Sequence, residues 1–157
     1  MLGEFELVVA GEKFSAADHQ LIAVVSDRVR LVENPSNEVM NKLYNDAFCL
    51  LYPSSYEGFG IPVLEAMAAG CPVVALNASS IPEISAGAAV LVNELRAAEF
   101  ATAIRRLLVP AFRSEVVQLG LANTKRFSWI ATVAGHREFY QRMFGKFSVK
   151  KAQSGRM

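Results

Sequence analysis

Residues 49–76 read CLLYPSSYEGFGIPVLEAMAAGCPVVAL, and this stretch decides the fold class. The apolar run Cys49 to Tyr52 leads into a polar, glycine-bearing turn, Pro53 to Gly60. Ile61 to Ala69 then reads as a short helix, with Pro62 in its first turn, Gly70 just past its end and Pro72 beyond. Proline fits a first turn, where its missing N–H would have been unpaired anyway, and glycine fits the left-handed residue that ends a helix. Val73 to Leu76 resumes an apolar run. A strand, a helix and a second strand so connected form parallel strands with a crossover helix.

The pattern repeats on both sides. Further strand-like runs are Glu6 to Ala10, Val29 to Val32 and Ala89 to Val92, mostly apolar without strict alternation, as strands covered on both faces should be. Ser15 to Ser26 begins with a near capping box to Asp18 and carries Leu21, Ile22 and Val25 on one side. Asn34-Pro35-Ser36 supplies cap chemistry and an N1 proline before Val39, Leu43, Tyr44 and Ala47. Beyond the last strand, Phe100, Ile104, Leu107 and Leu108 form a helical stripe that Pro110 interrupts before further helix to about Arg126. Ser128 caps a final helix whose apolar stripe, Trp129, Val133, His136, Tyr140 and Met143, is assigned to packing. The expectation is an α/β fold, a parallel sheet with helices on both faces. It comprises a domain over residues 1–144 and a basic polar tail over 145–157 that contains Lys146, Lys150, Lys151 and Arg156.

Composition narrows the function. With 157 residues, 52% of them hydrophobic, the chain can bury one complete core and is not a disordered sequence. Sixteen Lys and Arg against fifteen Asp and Glu leave no broad basic field, so nucleic acid is excluded as a partner. No run reaches the roughly 18 to 20 apolar residues that span a bilayer, and Glu4 and Glu6 are foreign to a secretory signal; the expected location is cytoplasmic. Cys49 and Cys71 read as reduced packing residues. His19 and His136 lack metal-ligand spacing, and Ser54 and Ser55 have no histidine nearby, so neither a metal site nor a hydrolase triad is expected.

Chemistry concentrates in the turn of residues 53–66, at the carboxyl end of a strand, where open α/β sheets bind ligands. Gly58 and Gly60 permit close backbone approach, and the helix that follows offers unpaired amides and a positive dipole end to a phosphate. Glu57 and Glu65 bracket that turn. A carboxylate repels phosphate but accepts hydrogen bonds from hydroxyls, so sugar and ribose hydroxyls are its natural partners. Taken singly, each glutamate is equally an ordinary turn or helix-start residue.

As a whole, Glu57-Gly58-Phe59-Gly60-Ile61-Pro62-Val63-Leu64-Glu65-Ala66 resembles the retaining glycosyltransferases of family 4 (group 1). Also similar to that family are Leu43-Tyr44-Asn45-Asp46-Ala47, Tyr52-Pro53-Ser54, Gly70-Cys71-Pro72-Val73-Val74-Ala75, Pro82-Glu83 and Arg126-Phe127-Ser128-Trp129. Several separated motifs in the right order make a specific signal. The resemblance implies the nucleotide-sugar-binding C-terminal half of a GT-B protein with two Rossmann-like domains, needing no metal or other cofactor. It implies Glu57 beside the donor sugar as the catalytic carboxylate, and amides of Gly58, Phe59, Gly60 and Ile61 on sugar hydroxyls. Amides near Val63 and Leu64 would face the diphosphate, Glu65 would take the ribose hydroxyls, and the loop with Glu33, Asn34 and Pro35 would border the base.

The resemblance starts at what corresponds to the family's second strand. The acceptor-binding half, the opening strand and the basic pair that follows it have no counterpart here, and Lys13, Arg28 and Arg30 do not match that pair in position. In a strand order of 3-2-1-4-5-6 the absent strand is central, so the others close the gap, leave it open or borrow a strand, with self-association through open edges as a consequence. The implied partners are a nucleotide-sugar donor and the acceptor domain, with peripheral membrane association of the parent enzyme. The implied reaction moves a mannose-, glucose- or galactose-type hexose from a nucleoside diphosphate to a glycan or lipid with retention. The alternatives are a non-catalytic nucleotide-sugar-binding module or truncated fragment, and a sugar-nucleotide epimerase of the same fold. Glu83 has no assigned role.

Overall fold

The computed structural model describes residues 5–25 and 28–154, with side chains described for 5–24 and 28–144. Ser26, where the sequence ends its first helix, lies outside the described residues, as do the side chains of the basic tail. Among the described residues the order is β1 (Leu7–Gly11), α1 (Ala16–Val25), β2 (Val29–Glu33), α2 (Asn37–Asp46), β3 (Leu50–Tyr52), α3 (Ile61–Ala68), β4 (Val73–Leu76), α4 (Ile81–Ser85), β5 (Val90–Val92), α5 (Ala97–Leu107), α6 (Pro110–Thr124) and α7 (Trp129–Ser154). Every strand pair is parallel. The chain divides into two compact units, residues 1–123 and 124–157.

In the first unit β4 sits between β3 and β5 and is buried along its whole length. Its alternation serves both faces. Val73 and Ala75 join Met67, Val63 and Ile81 in one core, while Val74 and Leu76 join Leu107, Ala103 and Val116 in another. Each fully buried aliphatic side chain stabilises the fold by about 1.5–3 kcal/mol. Across the first core, Gly120 of α6 packs against Met67, and the Nδ2 of Asn123 donates to the Ile84 carbonyl at 2.9 Å. Burial pushes the thiols of Cys49 and Cys71 up, to about 12 and about 11, which keeps both protonated as packing groups.

β1 and β2 form a separate two-stranded sheet, Leu7 opposite Val29 through Gly11 opposite Glu33. No ladder of hydrogen bonds joins β1 to β3 among the described residues. Beside that edge Phe5 packs at a tilt on Phe48, ring centroids 4.8 Å apart, and the Arg113 guanidinium covers Phe48 while donating to its carbonyl.

Several sequence expectations need correction. Pro35 is not the first helical residue of α2: Ser36 is the cap, its Oγ accepting from the Val39 N–H, because a hydroxyl three residues upstream reaches an N–H that proline cannot serve. Asn34, with φ 44°, takes the left-handed conformation that carries the chain into this cap. α4 was not anticipated; its Pro82 start is too short to show periodicity. In the second unit, α7 runs through Gly145 to Ser154, and Trp129, assigned to packing, is 77% exposed; an apolar stripe marks a helix face without itself supplying a surface to cover it. No helix of the described residues is long and apolar enough to cross a membrane.

Met67 is the bulkiest fully buried side chain of the first core. Met67→Ala should lower unfolding stability by about 2–5 kcal/mol through the cavity it leaves, measured by urea denaturation.

Candidate functional site

The turn from β3 to α3 presents the site at the carboxyl end of the three-stranded sheet. Gly60 is the residue before α3, with φ 102°, in the left-handed region. A Cβ placed there would stand 2.8 Å from Cδ1 of Ile81, so any other residue is strained in its backbone and must push the tip of the Ile81 side chain aside. That close approach sets the turn directly upon α4.

The loop after β4 fastens the same turn. The hydroxyls of Ser79 and Ser80 both donate to the Glu57 carbonyl, at 2.7 and 3.1 Å, and Ser80 lies 2.8 Å from the Phe59 carbonyl as well. Ser79 adopts φ 54° to make its reach. With their carbonyls held by these hydroxyls, Glu57 and Phe59 have a defined backbone path, and Gly58 has open space around it.

No side chain caps α3. Pro62 has no N–H to give, and the Val63 N–H turns back onto the Gly60 carbonyl at 3.1 Å. Val63 therefore offers its amide to the turn rather than outward, and its side chain is fully buried in the core. The uncapped start of α3 still presents the positive end of the helix dipole, with the Ile61 and Leu64 positions flanking it.

Each glutamate has a tyrosine. The Tyr52 hydroxyl, at the end of β3, donates to Oε1 of Glu57 at 2.7 Å. The Tyr44 hydroxyl, from α2, donates to Oε2 of Glu65 at 3.1 Å. Hydrogen bonds from Tyr52 first, and then from Ser54, hold the Glu57 carboxyl below the ordinary glutamate value. Burial raises both phenols, reinforced by Glu65 at Tyr44 and by Glu57 at Tyr52. The result is two carboxylates bracketing one helix start, each with one oxygen accepting from a phenol and lone pairs left for further donors. Glu65 lies in the second turn of α3 and is exposed, as hydroxyl recognition requires.

The loop assigned to a base is otherwise engaged in part. Oε1 of Glu33 accepts the Phe14 N–H at 3.0 Å, and the Asn34 N–H donates to the Gly11 carbonyl at 2.8 Å. These bonds tie the ends of β1 and β2 together and leave Pro35 half-buried beside them. Arg30 is occupied by Glu6 at 3.1 Å. Among the described residues no group of three or more His, Cys, Asp or Glu is placed to hold a metal ion. Glu83 is exposed on α4, outside this cluster.

Tyr44, Tyr52, Ser79 and Ser80 went unassigned in the sequence. A tyrosine at the end of an apolar run beside a glutamate is a legible hint, since a buried ring seeks a partner for its hydroxyl. The serines act from a distant loop and carry no local signal.

A family model described as "Glycosyl transferases group 1" matches residues 2–109. The O-antigen chain mannosyltransferase B of Escherichia coli is 38% identical over 103 residues, 64% of this chain and 27% of that protein. Among solved structures, sucrose-phosphate synthase from Thermosynechococcus elongatus aligns with a TM-score of 0.80 at 26% identity, over 90% of this chain and 39% of that one. Anabaena HepE, in complex with UDP-glucose, aligns with a TM-score of 0.76 at 21% identity, over 87% of this chain and 41% of that one. The fold is the C-terminal Rossmann-like half of a GT-B glycosyltransferase. This chain belongs to the group 1 glycosyl transferases. It spans well under half the length of these relatives.

Gly60→Ala should cost about 1–3 kcal/mol, from the strained φ and the contact with Ile81, read as a lowered melting midpoint. A carboxyl depressed in the folded chain binds fewer protons than in the unfolded chain, so its contribution is present above the ordinary glutamate range and is lost as pH falls through the depressed value. Urea unfolding at stepped acid pH should therefore show a steeper loss of stability for the native chain than for Glu57→Gln.

Proposed function

We propose that this chain is the donor-binding half of a retaining, family 4 glycosyltransferase that moves a hexose from a nucleoside diphosphate to a glycan or lipid acceptor. The observation that carries the reading is the pair of phenol-held carboxylates, Glu57 and Glu65, on either side of the uncapped start of α3. A nucleoside diphosphate sugar has the complementary order of groups: sugar hydroxyls, a diphosphate and ribose hydroxyls. Mannosyl transfer by the Escherichia coli relative supports a mannose-type sugar, while the UDP-glucose held by HepE supports the ligand class.

In this reading Glu57 lies against the donor sugar as the catalytic carboxylate, with the backbone of Gly58, Phe59, Gly60 and Ile61 toward its hydroxyls. Leu64 and the dipole of α3 face the diphosphate, Glu65 accepts the ribose hydroxyls, and Asn34 and Pro35 border the base. Transfer is promoted by holding the anomeric carbon in position and by stabilising charge on the departing diphosphate. No metal or further cofactor is part of the reading. Much of that charge stabilisation belongs to basic groups for which this chain has no match, so the 157-residue chain should bind donors weakly and transfer nothing alone.

Thermal melts of the chain with UDP, GDP and ADP test the proposal. At a dissociation constant of about 1 mM, about 10 mM of the right nucleotide adds about 1.4 kcal/mol, a rise on the order of 5 °C. Glu65→Ala should abolish most of that rise. A melt unmoved by every nucleotide, or moved equally in Glu65→Ala, defeats the assignment.

A further inference from the structure

The placement of Tyr52 points to a role that neither the motif nor the family match assigns. Glu57 stands on a turn whose backbone is fastened by Ser79 and Ser80, but those bonds stop at the Glu57 and Phe59 carbonyls. They leave the side chain of Glu57 free to rotate about its own bonds. Of the donors to that carboxylate, Ser54 belongs to the turn itself, whereas the Tyr52 hydroxyl, 2.7 Å from Oε1, is anchored in the sheet. Tyr52 is itself immobile in the relevant sense: it is a strand residue, paired with Ala75 of β4, and its ring is half-buried against the core that contains Ala75. The phenol thus extends the rigidity of the sheet to a carboxylate on a loop.

We propose that Tyr52 is a positioning residue for Glu57, fixing the orientation in which its carboxylate meets the hexose of the donor. The proposal rests on the reading of Glu57 as the sugar-facing carboxylate. Its chemical logic is that a phenol of raised pKa stays a donor throughout neutral pH and spends its one hydrogen on Oε1 of Glu57. That bond sets the plane in which the carboxylate offers its remaining lone pairs to sugar hydroxyls. The Tyr44 bond to Glu65 repeats the device at the ribose end, so the two carboxylates are held from two different elements, β3 and α2. Selectivity for the sugar follows from Tyr52 alone, because its carboxylate is the one away from the ribose.

Tyr52→Phe removes the hydroxyl and keeps the ring in its place. Carbon-13 NMR of glutamate carboxyls in the 157-residue chain, with the Glu57 signal identified by its loss in Glu57→Gln, follows the titration without any nucleotide. The Glu57 midpoint should move up toward the ordinary glutamate value in Tyr52→Phe, and an unmoved midpoint overturns the proposal. Should Tyr52→Phe not fold, the reciprocal measurement decides: the Tyr52 ring-carbon titration should move down in Glu57→Gln, and a phenol indifferent to that change overturns it equally. In binding, Tyr52→Phe should weaken a nucleoside diphosphate hexose by about three- to tenfold and leave the nucleoside diphosphate itself unchanged. Equal loss for both ligands marks a merely structural role and overturns the proposal. Absence of all nucleotide binding by the native chain would defeat the functional reading instead, while the titrations still judge the Tyr52–Glu57 coupling.

Discussion

A strand buried on both faces and hydrogen-bonded on both edges cannot tolerate an unpaired backbone group or a polar side chain, and β4 is such a strand. The rest of the first unit answers that requirement. β3 and β5 satisfy its edges, α3 and α4 cover the face of Val73 and Ala75, and α5 and α6 cover that of Val74 and Leu76. Because β3 and α3 are both pressed against β4, the turn between them has little freedom left. Its glycine at 60 is the residue that lets the backbone come down upon Ile81.

The site is consequently an outgrowth of the core. Tyr52 is the last residue of β3 and Tyr44 a buried residue of α2, and each sends its hydroxyl out of the apolar interior to a carboxylate at the rim. A tyrosine is suited to this because its ring can be packed while its hydroxyl is spent on a polar partner. Carboxylates held in this manner are ready acceptors, and the helix start between them favours the opposite kind of group, an anion.

The two-stranded sheet of β1 and β2 stands in contrast. Its residues are partly or largely exposed, and α1 has no buried residue among those described. Among the described residues, side chains rather than a backbone ladder make the contact beside β3: Phe5, Phe48 and Arg113. Cation–π and ring contacts of this kind contribute about 0.5–2 kcal/mol each, less than a ladder of backbone bonds along a buried strand. The loop that follows β2 uses Glu33 on the Phe14 amide to hold itself together.

The sequence by itself determined the parallel α/β class, the five strands, the helices long enough to show a period, and the glycine-bearing turn between Glu57 and Glu65 that joins β3 to α3. Those features are local: they follow from apolar runs, from Pro62 and Gly70 at helix ends, and from glycines in one turn. What only the tertiary structure decided was everything requiring two distant segments to meet. The phenol of Tyr44 reaches a glutamate 21 residues away, and the Ser79 hydroxyl reaches the Glu57 carbonyl across 22. No periodicity encodes such pairings, since they depend on how helices pack on the sheet rather than on neighbours in the chain. For the same reason Trp129, which belongs to a clear helical stripe, could be read as buried although it is exposed. A stripe specifies which face of a helix is apolar, while burial depends on another surface being brought against it.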